Sequence, residues 1–508
     1  MILLYIKNTL LPPSKGGVAT VVPSVRRAIT LHLYGIEPMA ILLVPSQYPS
    51  IAAAMLAASP ADTIQLASGY SNETATVTVN NITVDGGAGS TGIVLHLGPA
   101  VPLFATTGAA PINIFDGSGR NGIVANAGNN LVTVTAGVDA VNGGLGTDRL
   151  IVDYSLATGA VTGDSTSNFT EAGGGARSVT ITNGTFEHFT VLTGNAADTL
   201  TTGAGDDLIR AGDGANTITA GQGRNVIFGG ADADTITALD GGNCVNAGNG
   251  ANTVTTGDGN DTVTGGTGAD TITTGGGSDR IFVRGGADTI TAGSGSDRLS
   301  IDYTASTTGI THTLIGSLAT GYSGIIADGS GLNTITYTGV ESFGIKGGSG
   351  SDVLSTGGGR DVLSGGLGND ILSGGTGADT IAGGSGVDVM TGGLGMDLMT
   401  GGAGADSFVF AALADSPSMA RHDRIADFHR GGADTIDLSA IDADSGTSGN
   451  QAFMFVGTSA FTGAGGELHY SQVGGNTFVS ADTDGDLAAD FVLQLDGLRA
   501  LDAGDFVL

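Results

Sequence analysis

The chain has 508 residues and a net charge of −31, yet only 13% of its residues are charged and lysine is confined to Lys7, Lys15 and Lys346. So acidic a chain excludes a nucleic-acid binder that works by neutralising phosphate, and its aspartate-rich balance points to a hard cation that takes oxygen ligands. Glycine numbers 91, proline 11, and apolar residues make up 40%, which excludes collagen and general disorder and assigns the glycine to backbone turns.

In chain order, residues 1–38 hold four of the 18 Lys/Arg and a single acid, Glu37. They are expected to be a disordered extension, with Met39 as the effective start. In the run Met1 to Lys7 the charge follows the apolar residues, the reverse of a secretory signal. No apolar run reaches 18 residues, so no membrane span is expected. Residues 39–115 form a short β-helix-like N-terminal region, with a helix near 50–58 and strand-like runs at 62–66, 76–79 and 82–86.

A nine-residue repeat then begins. A first block, 116–151, has four units, with Asn121, Asn130, Asp139 and Asp148 at the sixth position. A β-rich insert, 152–192, follows. The second block, 193–300, has twelve units, with Asp198, Asp207, Asn216, Asn225, Asp234, Asn243, Asn252, Asp261, Asp270, Asp279, Asp288 and Asp297 at that position. After a second β-rich insert, 301–346, the third block, 347–409, has seven units with Asp352, Asp361, Asp370, Asp379, Asp388, Asp397 and Asp406. All 23 units have an apolar eighth residue.

The spacing has a structural meaning. The last three residues of a unit make a short strand whose central apolar side chain points inward. The first six make a turn that glycine allows to curl. Two units complete one coil, and coils stack at the ~4.8 Å strand spacing, so the aspartates of units n and n+2 stand one above another. Such carboxylates repel and are costly to desolvate until a cation lies between the turns. With Cys244 alone, no disulfide can form within the chain. That cysteine is expected to be a small buried residue inside a repeat.

The two inserts resemble each other. Each begins after an Asp-Arg-Leu run (Asp148, Asp297) and ends on Glu-x-Phe, at Glu187/Phe189 and Glu341/Phe343. Both glutamates stand 11 residues before the next repeat aspartate, Asp198 or Asp352, which indicates a duplicated module. Residues 410–508 are poorer in glycine and richer in phenylalanine. The acid-rich stretch 482–490 there reads either as one more site for the cation or as a hairpin turn between strands at 477–481 and 491–495.

The glycine-rich nonapeptide resembles the RTX (hemolysin-type) calcium-binding family over about half the chain. That resemblance implies calcium at the seventeen aspartates of the repeat (Asp139 and Asp148, Asp198 to Asp297, Asp352 to Asp406) through their side chains and turn carbonyls, with weaker or empty sites near Asn216–Asn225 and Asn243–Asn252. Residues 423–441, 464–468 and 482–486 resemble the C-terminal domain of serralysin-type secreted proteases. This implies a domain that completes the roll and aids export. The chain end, Asp505 to Leu508, resembles the uncleaved signal of type I secretion and implies that machinery as a partner. Residues 50–115 resemble the opening coils of right-handed β-helix proteins, including polysaccharide lyases and alginate epimerases.

The expected fold is all-β: a right-handed parallel β-roll or β-helix solenoid in several blocks, with β-rich inserts and a C-terminal β domain. The chain contains no His-Glu-x-x-His, Gly-x-Ser-x-Gly or Asp-Pro-His-Glu run, so no catalytic residues are assigned. The expected function is a secreted, calcium-binding structural or interaction protein, with cell-surface or matrix polysaccharide as a candidate partner. The rival readings are a carbohydrate-active enzyme with a short β-helix and a non-proteolytic relative of the serralysins.

Overall fold

Two nonapeptides make one coil. Thr199, Leu200 and Thr201 pair with Thr217, Ile218 and Thr219, and those with Thr235, Ile236 and Thr237, while the intervening units pair among themselves on the other side. Successive units thus alternate between two long sheets, each built mainly of parallel strands 18 residues apart. The structure, a computed structural model, describes residues 39–173, 177–182, 186–429 and 434–508. The basic stretch 1–38 lies outside the described residues. The result is the all-β parallel solenoid expected from the repeat, of about 20 turns.

Inward side chains of the two sheets meet in one core. The eighth residues Leu363, Leu372, Ile381, Met390, Met399 and Phe408 are all buried. Their neighbours at the seventh and ninth positions point outward, because side chains alternate along a strand. This alternation corrects the expectation for Cys244. It occupies a seventh position, beside the inward Val245, and is exposed. On one sheet the seventh position carries a column of threonines, Thr199, Thr217, Thr235, Thr253, Thr271 and Thr289, continued by Thr336 in the second insert. A β-branched hydroxyl residue suits an exposed pleat.

The inserts are detours inside the solenoid. Arg149–Asp153 pairs directly with His188–Leu192, and Arg298–Asp302 with Ser342–Lys346, so one sheet passes each joint without a break. On the opposite sheet each detour adds three antiparallel strands. These are Val161–Asp164, Asn168–Glu171 and Arg177–Ile181 in the first, and Ile310–Ser317, Gly321–Asp328 and Thr334–Val340 in the second. The outer strands of each trio rejoin the repeat strands on either side. This shared topology is the structural counterpart of the duplication seen in the sequence. In the second detour His312 packs with Tyr337 and Phe343, and burial lowers its pKa to about 4.

Both ends are closed. The helix Ile51–Ala57, capped by the Ser50 side chain accepting from the Ala53 N–H, lays Ile51, Ala54 and Met55 into the first coils. At the other end, Asp423–Ile425 and Thr435–Asp437 extend the two sheets. Phe491–Leu495 then pairs with the former and Phe506–Val507 with the latter. Asn476–Asp482 and Phe491–Leu495 form an antiparallel hairpin, so the 482–490 stretch is the hairpin turn. Among the described residues no helix is long and apolar enough to cross a membrane.

The core places a clear demand on neighbouring residues. Leu372→Ala, at a buried position, should lower stability by about 2–5 kcal/mol. Ile371→Ala, at a site 52% exposed, should change it by about 0.5 kcal/mol. Urea unfolding at saturating calcium measures both, and equal losses would contradict the inward assignment of the eighth position.

Candidate metal-binding turns

The stacking places the repeat aspartates in two ladders, one along each edge of the solenoid. Asp139, Asp198, Asp234, Asp270, Asp288, Asp352, Asp370, Asp388 and Asp406 lie in one. Asp148, Asp207, Asp261, Asp279, Asp297, Asp361, Asp379 and Asp397 lie in the other. Each of these seventeen carboxylates uses Oδ1 to accept a backbone N–H from the coil before it, at 2.6–3.0 Å. In the regular stretches that N–H belongs to the preceding ladder residue, as Asp352 N–H to Asp370.

The second oxygen is different. Oδ2 of every one of the seventeen is buried and has no hydrogen-bond partner. Unpaired buried carboxylate oxygens are costly, and this many in one molecule require a common explanation. Around Asp370 the surroundings of Oδ2 are more acceptors. A Cβ added to Gly365 would collide with Asp370 Oδ2 and with the Gly383 carbonyl oxygen of the next coil. The same cradle recurs at Gly229 beside Asp234 and Ala247, at Gly347 beside Asp352 and Gly365, and at Gly383 beside Asp388 and Gly401. In these units glycine at the first position keeps open a space lined by one carboxylate oxygen and a turn carbonyl, whereas Thr193, Thr202, Thr256, Thr274 and Thr356 stand at that position before five other ladder aspartates. Oxygen-only donors of this kind fit a hard divalent cation such as Ca2+.

The asparagine units fill this space themselves. The Asn216 Nδ2 donates to the Gly212 and Gly229 carbonyls, and the Asn252 Nδ2 to those of Gly248, Gly250 and Gly265. Asn225 and Asn243 donate likewise to the carbonyls four and two residues before them, and Asn130 reaches the corresponding Asn126, Gly128 and Gly143 oxygens. An amide NH2 thus stands where a cation would, facing the same carbonyls.

Four further groups complete the ladders outside the repeat frame; one of them, the buried Asp434, accepts the Asp406 N–H at 3.1 Å through Oδ1 and the His429 N–H through Oδ2. Glu187 accepts the Asp148 N–H and Glu341 the Asp297 N–H, both at 2.7 Å, so each Glu-x-Phe carries a ladder across a joint. Asp423 accepts the Asp397 N–H, and its Oδ2 is also buried and unpartnered. Asp423 lies outside the nine-residue frame and joins the ladder through the pairing of Arg424 and Ile425 with Leu398 and Met399. Asp482, Asp484 and Asp490 bring carboxylate oxygens within 4.8 Å of one another, but both oxygens of Asp482 already accept N–H groups, from Gly485 and Leu487.

Residues 75–508 match the family profile described as Peptidase M10 serralysin C terminal. The chain belongs to this family. Its β-rolls generally bind Ca2+ and its members are secreted, and the matching region is the non-catalytic part of the serralysins. The chain is similar in part to the solution structure of the AlgE6R2 subunit from the Azotobacter vinelandii mannuronan C5-epimerase, at 28% identity and TM-score 0.22, over 31% of this chain and 92% of that one. It is similar to the AlgE6R3 subunit of the same enzyme at 28% identity and TM-score 0.21, over 33% and 77%. A third likeness is to the crystal structure of the extracellular lipase LipA from Serratia marcescens, at 15% identity and TM-score 0.15, over 57% and 40%. Among curated proteins none matches.

In this serralysin-type roll, burial raises the pKa of all seventeen ladder aspartates. Asp288, Asp297, Asp361 and Asp397 reach about 7, and Asp423 about 8. An aspartate raised in the fold ionises first in the unfolded chain, so the unfolded chain binds fewer protons between the ordinary carboxylate range and about pH 7. Stability of the metal-free fold therefore falls as pH rises through that window. In excess chelator, far-UV circular dichroism should show more β structure at pH 5 than at pH 8. With calcium the trend reverses, and the calcium midpoint rises as pH falls because protons compete for the same oxygens. A pH-independent metal-free spectrum would contradict the raised values.

Proposed function

We propose that this chain is a secreted β-roll whose folding is completed by calcium in its turns, acting as a structural or interaction protein and not as an enzyme. The observation that carries this is the set of seventeen buried, unpartnered Oδ2 atoms, with turn carbonyls beside them at Asp234, Asp352, Asp370 and Asp388. When bound, Ca2+ supplies the positive charge and the six to eight oxygen contacts that such a cradle offers. The protein's own residues do the rest. The aspartate Oδ1 atoms tie adjacent coils through backbone N–H groups, the eighth residues bury the core, and first-position glycines leave the cradle open.

Family membership supports the export part of the reading. Cytosolic calcium lies far below the ~10⁻⁴–10⁻³ M range in which extracellular modules bind, so the chain would cross the exporter unfolded and order itself outside. At tenfold excess over the dissociation constant each independent site adds ~1.4 kcal/mol to the folded state. Some ten such sites add ~14 kcal/mol, as much as a whole domain's stability.

Circular dichroism at pH 8 tests the coupling: chelator should remove most of the β signal and millimolar calcium restore it, and an unchanged spectrum would end the proposal. A pair of exchanges separates metal from packing. D370N should lower the calcium stoichiometry measured by calorimetry while raising residual metal-free order, because its amide can donate to the carbonyls of Gly366, Gly368 and Gly383. N243D should do the reverse on both counts. If D370N destabilised the metal-free chain, the cradle would not be a cation site.

A further inference from the structure

Beyond residue 38 the chain carries 14 Lys/Arg, and five of them, Arg280, Arg284, Arg298, Lys346 and Arg360, gather on one outer face. Four consecutive parallel strands lie there side by side, Arg280–Val283, Arg298–Asp302, Ser342–Lys346 and Val362–Leu367. Their register sets out three rows along the stacking axis. The middle row is Phe282, Ser300, Gly344 and Val362. One flank carries Arg280 and Arg298, with Arg360 two residues before Val362. The other carries Arg284, Asp302 and Lys346. The face is hollowed into a groove of about 460 Å³. Gly344 makes the hollow, because a Cβ there would meet the Arg298 guanidinium at 2.9 Å.

We infer that this groove binds a linear acidic polysaccharide with one carboxylate per sugar, a polyuronate, laid along the stacking axis. The proposal goes beyond the calcium reading and needs only the folded solenoid. Charge complementarity is its first support. In a molecule of net charge −31, this stretch concentrates cations around a single lining acid, Asp302, whose contact with Arg284 is a loose 3.7 Å. Arg284 is 69% exposed there and free to turn to a ligand. Arg298 is held in place by its Nη1 donating to the Arg360 carbonyl at 2.8 Å.

Spacing is the second support. Cations recur on successive strands at ~4.8 Å, close to the advance of one ring in an extended 1,4-linked chain. Such a chain sends successive carboxylates to opposite sides, and cations flank this groove on both. A nucleic-acid duplex, with a charge every ~1.7 Å, is far denser than the array. The middle row supplies the remaining chemistry. Phe282 is 38% and Val362 45% exposed, giving apolar surface for the CH face of a pyranose, and the Ser300 hydroxyl stands between them. The opposite sheet shows that this is no general property of the solenoid, since its outward column at the same coils is neutral threonine.

Calorimetry on the full calcium-loaded chain tests the inference with hexamers of mannuronate, of galacturonate and of neutral cellohexaose. Binding of either uronate, weakened at least tenfold by Arg284→Glu with Lys346→Glu and within twofold of wild type for Arg120→Glu with Arg421→Glu, is the expected result. The two uronate arms identify the source of the polymer. Equal weakening by both double variants would overturn the inference. So would cellohexaose, polyglutamate or RNA binding as tightly as the uronates, or no binding at all. Circular dichroism on the same samples separates a groove that fails to bind from a roll that fails to fold.

Discussion

Acceptor faces acceptor at nearly every turn of this molecule. An aspartate carboxylate is carried inward by the coil, spends one oxygen on a backbone N–H, and leaves the other against the carbonyls of its own turn and the next. No hydrogen bond reaches that oxygen. The turns and the apolar core are tied together, because the sixth residue ends the turn just before the strand that carries the inward eighth residue. On the proposed reading, folding of the roll and occupation of the cradles are a single event.

The asparagine units show the same constraint solved without an ion. From Asn216 to Asn252 the amide nitrogens donate to the turn carbonyls, while the amide oxygens continue the ladder, as Asn216 Oδ1 accepts from Asp198 N–H at 2.9 Å. A neutral side chain with a donor and an acceptor thereby does locally what a carboxylate and a cation do together. On the proposed reading, the middle of the second block is the part of the solenoid least dependent on metal, and the third block, with aspartate in all seven units, is the most dependent.

Much of this was legible in the sequence because a period of nine fixes phase. The inward Leu372, the stacking of Asp352 under Asp370, and the duplication of the inserts all follow from counting. What could not be counted was hidden where the frame lapses. Glu187 and Glu341 read as the ends of inserts, but they are ladder members that reach across a detour with one extra methylene. Asp423 joins a ladder through strand register alone. Cys244 was misplaced because residue type was weighed above phase: a seventh position points to solvent whatever occupies it. The groove at Gly344 was invisible, since Arg280 and Lys346 are 66 residues apart in sequence and meet only because a whole insert is folded out of the way.

The most direct measurement is a crystal structure from millimolar calcium, with anomalous scattering used to place the ions. The account predicts anomalous peaks beside Oδ2 of the ladder aspartates, between each carboxylate and the turn carbonyls, and none beside Asn216, Asn225, Asn243 or Asn252. Ordered aspartate turns with no ion beside Oδ2 would contradict it.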